Sequence, residues 1–163
     1  MKVLSNFNNI IMKAIDRLIT VLIISLCIMI SFQVLNRFIL HLPAAWTEEM
    51  GRYNFVWVSL FGAVKASKVK LHLSVDALVD GLNDKAKVIV GVLSEITILI
   101  FSIILFITGI DYTISSIGVT ASFGSFPMTL VYAAIPIAGF ILCLISIEEL
   151  VYKIMHIREV FDN

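Results

Sequence analysis

The sequence predicts an all-α integral membrane protein with four transmembrane helices. Three observations carry this reading. Hydrophobic residues make up 60% of the 163 and charged residues only 15%, with a mean hydropathy of +1.01. That leaves too little polar surface to solvate a compact globule. Four stretches, about 18–35, 46–67, 88–110 and 128–147, match the 20 or so apolar residues that cross roughly 30 Å of hydrocarbon. Lys and Arg are also distributed unevenly between the connections, the pattern that orients membrane helices. Residues 1–163 read as one membrane domain, with no gap long enough for a soluble catalytic unit.

The first span follows Lys2, Lys13 and Arg17. Its apolar run is long for a signal-peptide core, and Asn36-Arg37-Phe38 stands where a small-residue cleavage site would be, so the helix is expected to be retained. Gln33, Asn36 and Arg37 form a polar patch at its far end, Gln33 and Arg37 sharing a face. They could meet Glu48 or Glu49 and fasten the first helical hairpin. Alternatively, Arg37 could snorkel to the headgroups.

The second span lies in the most informative segment, WTEEMGRYNFVWVSLFGAVKASKVKLHLSVD, from Trp46 to Asp76. Glu48, Glu49 and Arg52 precede its apolar core; Lys65, Lys68, Lys70, His72 and Asp76 follow it. Glu48, Arg52, Phe55, Ser59, Gly62 and Ala66 recur at alternating four- and three-residue steps, which places them on one stripe. Small residues let a neighbouring helix approach closely in lipid, so this stripe is expected to face protein. Glu48 and Glu49 are spaced for a local ion pair with Arg52 and favour the helix dipole. An exposed pair contributes only about 0–1 kcal/mol. The three charges therefore read either as an interfacial anchor or as a dock for an external partner.

In the middle connection Leu71, Val75, Leu78 and Leu82 recur at helical spacing, with Asp76, Asp80 and Asp84 on other faces and Ser74 as a candidate N-cap. A short interfacial helix is expected there. Glu95 lies about seven residues into the third span. A lipid-facing carboxylate costs about 2.5–3.5 kcal/mol at the bilayer centre, so Glu95 should point toward protein. It shares a stripe with Gly91, Ile98, Ser102, Leu105 and Gly109. Helix packing explains that placement, and a proton or ion relay is the alternative.

The third connection, residues 111–126, carries no cation, and Tyr112, Phe123, Phe126 and Tyr132 suit an outer aromatic belt. Phe126 and Pro127 mark the start of the fourth span. Only Arg37 and Arg52 fall on this side; the other Lys and Arg residues fall on the opposite one. Both termini and the middle connection are therefore expected in the cytoplasm.

Little supports catalysis or a cofactor. His41, His72 and His156 all lie outside the spans, whereas haem bundles pair imidazoles within them. No hydroxyl has a nearby His within a span, as a nucleophilic triad would need. CxxC and HExxH are missing, and Cys27 and Cys143 read as packing residues. With a net charge of zero and no basic tract, nucleic acid is not an expected partner. No metal and no cofactor are expected.

The Trp46–Asp76 segment resembles the signature of the small, DctQ-like membrane subunit of tripartite ATP-independent periplasmic (TRAP) transporters. The matching residues are Arg37 in VLNRF, then Trp46, Glu48, Glu49, Arg52 and Tyr53, the aromatic helix with Trp57 leading to Gly62-Ala63, and His72 followed by Asp76. Lys70 and Leu71 stand where family members often carry a Gly before the His. The resemblance implies a scaffold for a large membrane subunit that binds substrate and ions. It also implies contact with a periplasmic substrate-binding protein and with membrane lipids. Uptake would be driven by a cation gradient, usually sodium, with sialic acid or a C4-dicarboxylate as cargo.

The residues themselves are consistent with that division of labour, because no span is broken by Gly and lined with polar groups in the manner of a midplane transport site. Two other readings compete: an autonomous four-helix proton-coupled exporter using Glu95, and a membrane anchor for a redox enzyme.

Overall fold

The computed structural model describes residues 2–40, 45–70, 84–124 and 126–161. Helix α1 runs Lys2–Leu35 and passes into a π-helical turn, Asn36–Leu40. It is followed by α2 (Ala45–Lys70), α3 (Asp84–Ser115), the short α4 (Met128–Tyr132) and α5 (Ala134–Phe161). Among the described residues the sole β feature is an isolated bridge between Thr120 and Pro127. The chain is all-α, as the composition requires. The expected interfacial helix, together with His41, His72 and Asp76, lies outside the described residues.

Three helical stretches are long and apolar enough to cross a membrane: Ile11–Ile39, Ile89–Ser115 and Met128–Met155. Helix α2 forms where the second span was expected but is not among them. Its apolar core between Arg52 and Lys65 covers residues 53–64, roughly 18 Å at 1.5 Å per residue. The charges that make this segment informative are the same ones that shorten its hydrophobic length.

The fourth apolar stretch begins at Met128, with Pro127 in extended conformation as its N-cap. Its helix is interrupted at Ala133. Pro136 explains the break, because it has no N–H for the Tyr132 carbonyl and its ring crowds that carbonyl. The connection before it folds back on itself: Ala121 N–H donates to the Phe126 carbonyl at 2.9 Å and Met128 N–H to the Val119 carbonyl at 3.0 Å. Gly118 supplies the left-handed residue of this turn, with φ +85°.

Helix α3 packs closely on α5. A Cβ at Gly139 would lie 2.8 Å from the Phe106 backbone nitrogen, and one at Gly109 would lie 2.8 Å from the nitrogen of Pro136. Bare glycine surfaces let the two backbones approach. The expected α3 stripe is the packed face: Gly91, Glu95, Ser102 and Gly109 are buried. Hydroxyls along α3 bond within the helix, Thr97 to the Leu93 carbonyl and Thr108 to that of Ile104. The hydroxyl hydrogens of these two residues are thereby satisfied within the helix.

On the other side of α5, Ile15 and Ile19 of α1, Phe61 and Val64 of α2, and Ala138, Leu142 and Ile145 of α5 form the hydrophobic core. Neighbouring helices thus follow the order α1, α2, α5, α3, with α3 packing on α5 and not on α1 or α2 among the described residues.

Candidate functional site

The informative features gather around α2. At its N-terminal end the structure departs from the expected ion pairing. Glu49 accepts a hydrogen bond from the Tyr53 hydroxyl at 3.1 Å, and no ion pair joins Arg52 to Glu48 or Glu49 among the described residues. Arg37 lies over the Phe38 ring, 5.8 Å from its centroid, and does not fasten the hairpin. Apolar and amide contacts do so instead. Trp46 meets Phe32 at 6.2 Å, and Asn54 Nδ2 donates to Ser25 Oγ at 2.5 Å and to the Leu22 carbonyl at 3.3 Å.

The cation-free connection closes over this end. Tyr53 stacks on Phe126 at 6.2 Å, Phe126 on Phe123 at 6.5 Å, and Tyr112 meets Tyr132 edge-on at 4.9 Å. The four aromatics expected as an outer belt are therefore in contact with one another or with Tyr53. Rings of this kind suit the membrane interface because they combine an apolar body with a polar edge.

Toward the C-terminal end of α2, Lys65 and Lys68 are paired with acids on other helices. Lys68 Nζ lies 2.8 Å from Glu148 Oε2 and 3.5 Å from Glu149 Oε1 on α5, and Asn8 Nδ2 of α1 donates to the same Glu148 oxygen at 2.5 Å. Lys65 pairs with Asp16 at 2.6 Å. Lys153 of α5 reaches Glu95 Oε1 and the Gly91 carbonyl of α3, each at 3.2 Å. In the sequence these lysines read as orientation signals, and their acidic partners are not evident. The Glu148-Glu149 pair at the end of an apolar run was the available signal, since adjacent acids there need cations nearby.

Glu95 is completely buried, tied into helix packing by Lys153. Among the described residues no group of three or more His, Cys, Asp or Glu side chains is placed to hold a metal ion.

The stripe of Glu48, Arg52, Phe55, Ser59, Gly62 and Ala66 remains open. The first four are exposed and the last two half-buried. A Cβ at Gly62 would touch nothing within 4 Å. The opposite face of α2 is packed, with Phe61 and Val64 almost wholly buried. Helix α2 is thus engaged by its own chain on one side and carries small, charged and aromatic residues on the other.

Such an arrangement defines a helical membrane component that leaves one face of α2 uncovered. Residues 26–155 match the family "Tripartite ATP-independent periplasmic transporters, DctQ component". The chain belongs to this family, and is therefore a small permease subunit of a TRAP transporter and not an enzyme. It is 30% identical over 159 residues, 96% of each chain, to a Haemophilus influenzae protein named as a TRAP transporter small permease. It is 31% identical over 91 residues to the sialic acid TRAP transporter small permease protein SiaQ of Vibrio cholerae, covering 55% of this chain and 53% of that one. A second H. influenzae protein named as a TRAP transporter small permease is 35% identical over 81 residues, 48% of this chain and 49% of the relative.

Proposed function

We propose that this subunit is the static brace of its transporter, crossing the bacterial inner membrane four times with both termini in the cytoplasm. The open α2 stripe seats the large membrane subunit, with Ser59, Gly62 and Ala66 letting a partner helix approach. Trp46, Glu48, Glu49, Arg52 and Tyr53 form the outer end, where they help receive the periplasmic substrate-binding protein. Arg37 is assigned to the same partner-facing set, as are His72 and Asp76, which follow α2 in the sequence and lie outside the described residues. Lipids cover the remaining apolar faces.

The single observation that supports this reading is the asymmetry of α2. One face is packed by α1 and α5, and the other presents Arg52 and Ser59 exposed beside a glycine with open space. Polar groups within a span are costly against lipid, which favours protein there. Transport is uptake of an organic anion driven by a cation gradient, sodium being the expected ion. Sialic acid is the preferred cargo because one relative is named for it, with a C4-dicarboxylate as the alternative.

A photo-crosslinking residue placed at Ser59 in the assembled transporter should yield an adduct with a larger polytopic protein. The same residue at Ile104 of α3, an exposed apolar position, should not. Crosslinks from Ile104 and none from Ser59 would reverse the assignment.

A further inference from the structure

The levels at which the four helices meet do not agree with the levels of their apolar runs. Lys65 and Asp16 form an ion pair whose side chains are both 47% exposed, and Asp16-Arg17 directly precede α1's uncharged run. Lys68, one helical turn further in, meets Glu148, which puts Lys65 level with Ile145 of α5. The antiparallel α3 matches Phe106 to Gly139 and Gly91 to Lys153, which puts Ile145 level with Ile100. Ile100 lies near the middle of α3's apolar stretch Ile89–Ser115. In an upright bundle, a half-exposed ion pair would therefore sit near the bilayer midplane, where charge is most costly.

At the other end Ser25 meets Asn54 and Phe32 meets Trp46, so Val34, Leu35, Phe38 and Ile39 extend toward or past the start of α2. All four are exposed. An upright bundle aligned on α3 would leave this apolar segment in water.

We infer that the helices cross the bilayer obliquely, with α1 displaced toward the outer face relative to α3, so that the lipid-contacting belt runs diagonally across the molecule. The stagger of the interhelical contacts sets its slope. The stagger of the Asp16–Lys65 pair against α3 is about half a bilayer, roughly 15 Å, over about two helix spacings of 8–10 Å, which gives about 40°. The bilayer is thus an oblique partner surface, bounded by Arg17 on α1 and by Ser115 on α3.

The inference rests on all four helices crossing the membrane, and its test separates the two claims. Single cysteines at Ala14, Val34, Val90 and Ser122, with Cys27 and Cys143 replaced by Ala, are spin-labelled in the full chain in phosphatidylethanolamine–phosphatidylglycerol vesicles. Collision with oxygen reports hydrocarbon and collision with a nickel chelate reports water. Obliquity predicts oxygen-dominated labels at Val34→Cys and Val90→Cys and chelate-dominated labels at Ala14→Cys and Ser122→Cys.

Water at position 34 with hydrocarbon at 14 would mean an upright bundle aligned on α3. Water at position 90 would mean one aligned on α1. Either result overturns the inference. A membrane-impermeant thiol reagent tests the crossings separately. Labelling of positions 14 and 122 from opposite sides fits four spans, whereas labelling from one side removes α2 as a span and the inference with it.

Discussion

Lys153 Nζ lies 3.2 Å from Glu95 Oε1, joining α5 to α3 at a point where the carboxylate is completely buried. A buried charge is tolerated when paired and becomes costly when its partner is removed. This contact therefore helps set the register of two helices that approach closely at Gly109 and Gly139.

Replacing Lys153 with Met should leave Glu95 without its cation and destabilise the chain by about 3 kcal/mol. The double variant Glu95→Gln with Lys153→Met should recover most of that loss. Thermal denaturation of the detergent-solubilised variants checks this, and a double variant as unstable as Lys153→Met alone would show that the pair does not carry the coupling.

Lys68 connects α2 to Glu148 and Glu149, with Asn8 of α1 on the same carboxylate. Lys68→Ala should cost about 1.5–3 kcal/mol, the range for hydrogen bonds to charged groups. Asn54→Ala, which removes the bonds to Ser25 and Leu22, should cost nearer the average of about 0.6 kcal/mol for an interhelical bond in a membrane protein. Melting temperatures that rank these two variants in the reverse order would contradict the greater contribution of the Lys68–Glu148 cluster.

The glycines divide by what surrounds them. Gly139→Ala drives a Cβ to 2.8 Å from the Phe106 nitrogen and should destabilise the chain by about 1–3 kcal/mol through overpacking. Gly62→Ala meets open space and should leave the isolated chain unchanged or slightly more stable, since Ala favours helix. Comparing the two melting curves tests whether the open face of α2 is structurally idle in the chain alone.

How far the fold was legible can be judged from these same residues. Helices form at all four apolar stretches, three of them long and apolar enough to cross a membrane, and the 4-3 spacing of Gly91, Glu95, Ser102 and Gly109 identified the face of α3 that packs. Pro127 marked the start of the last apolar stretch. The partner of Glu95 was not legible, because Lys153 is 58 residues away and its charge was already explained by the orientation rule. Sequence spacing likewise favoured Glu49 with Arg52, whereas the folded chain offers Glu49 the Tyr53 hydroxyl. The shortfall in α2's apolar length was visible in its charges, but that length becomes meaningful only beside α1 and α3.

The stripe on α2 was also legible, and its openness was not. Periodicity grouped Glu48, Arg52, Phe55, Ser59, Gly62 and Ala66 but could not say whether this chain covers them. The structure leaves them uncovered, which is the basis of the proposed partner face.

The most direct test of the brace is the assembled transporter carrying Gly62→Trp. The indole would fill the open space beside α2 without touching the α1–α2–α5 core. The variant chain should insert and melt like wild type, yet lose co-purification with the large membrane subunit and reduce uptake at least tenfold. A wild-type yield of complex with wild-type uptake would show that this face seats no partner.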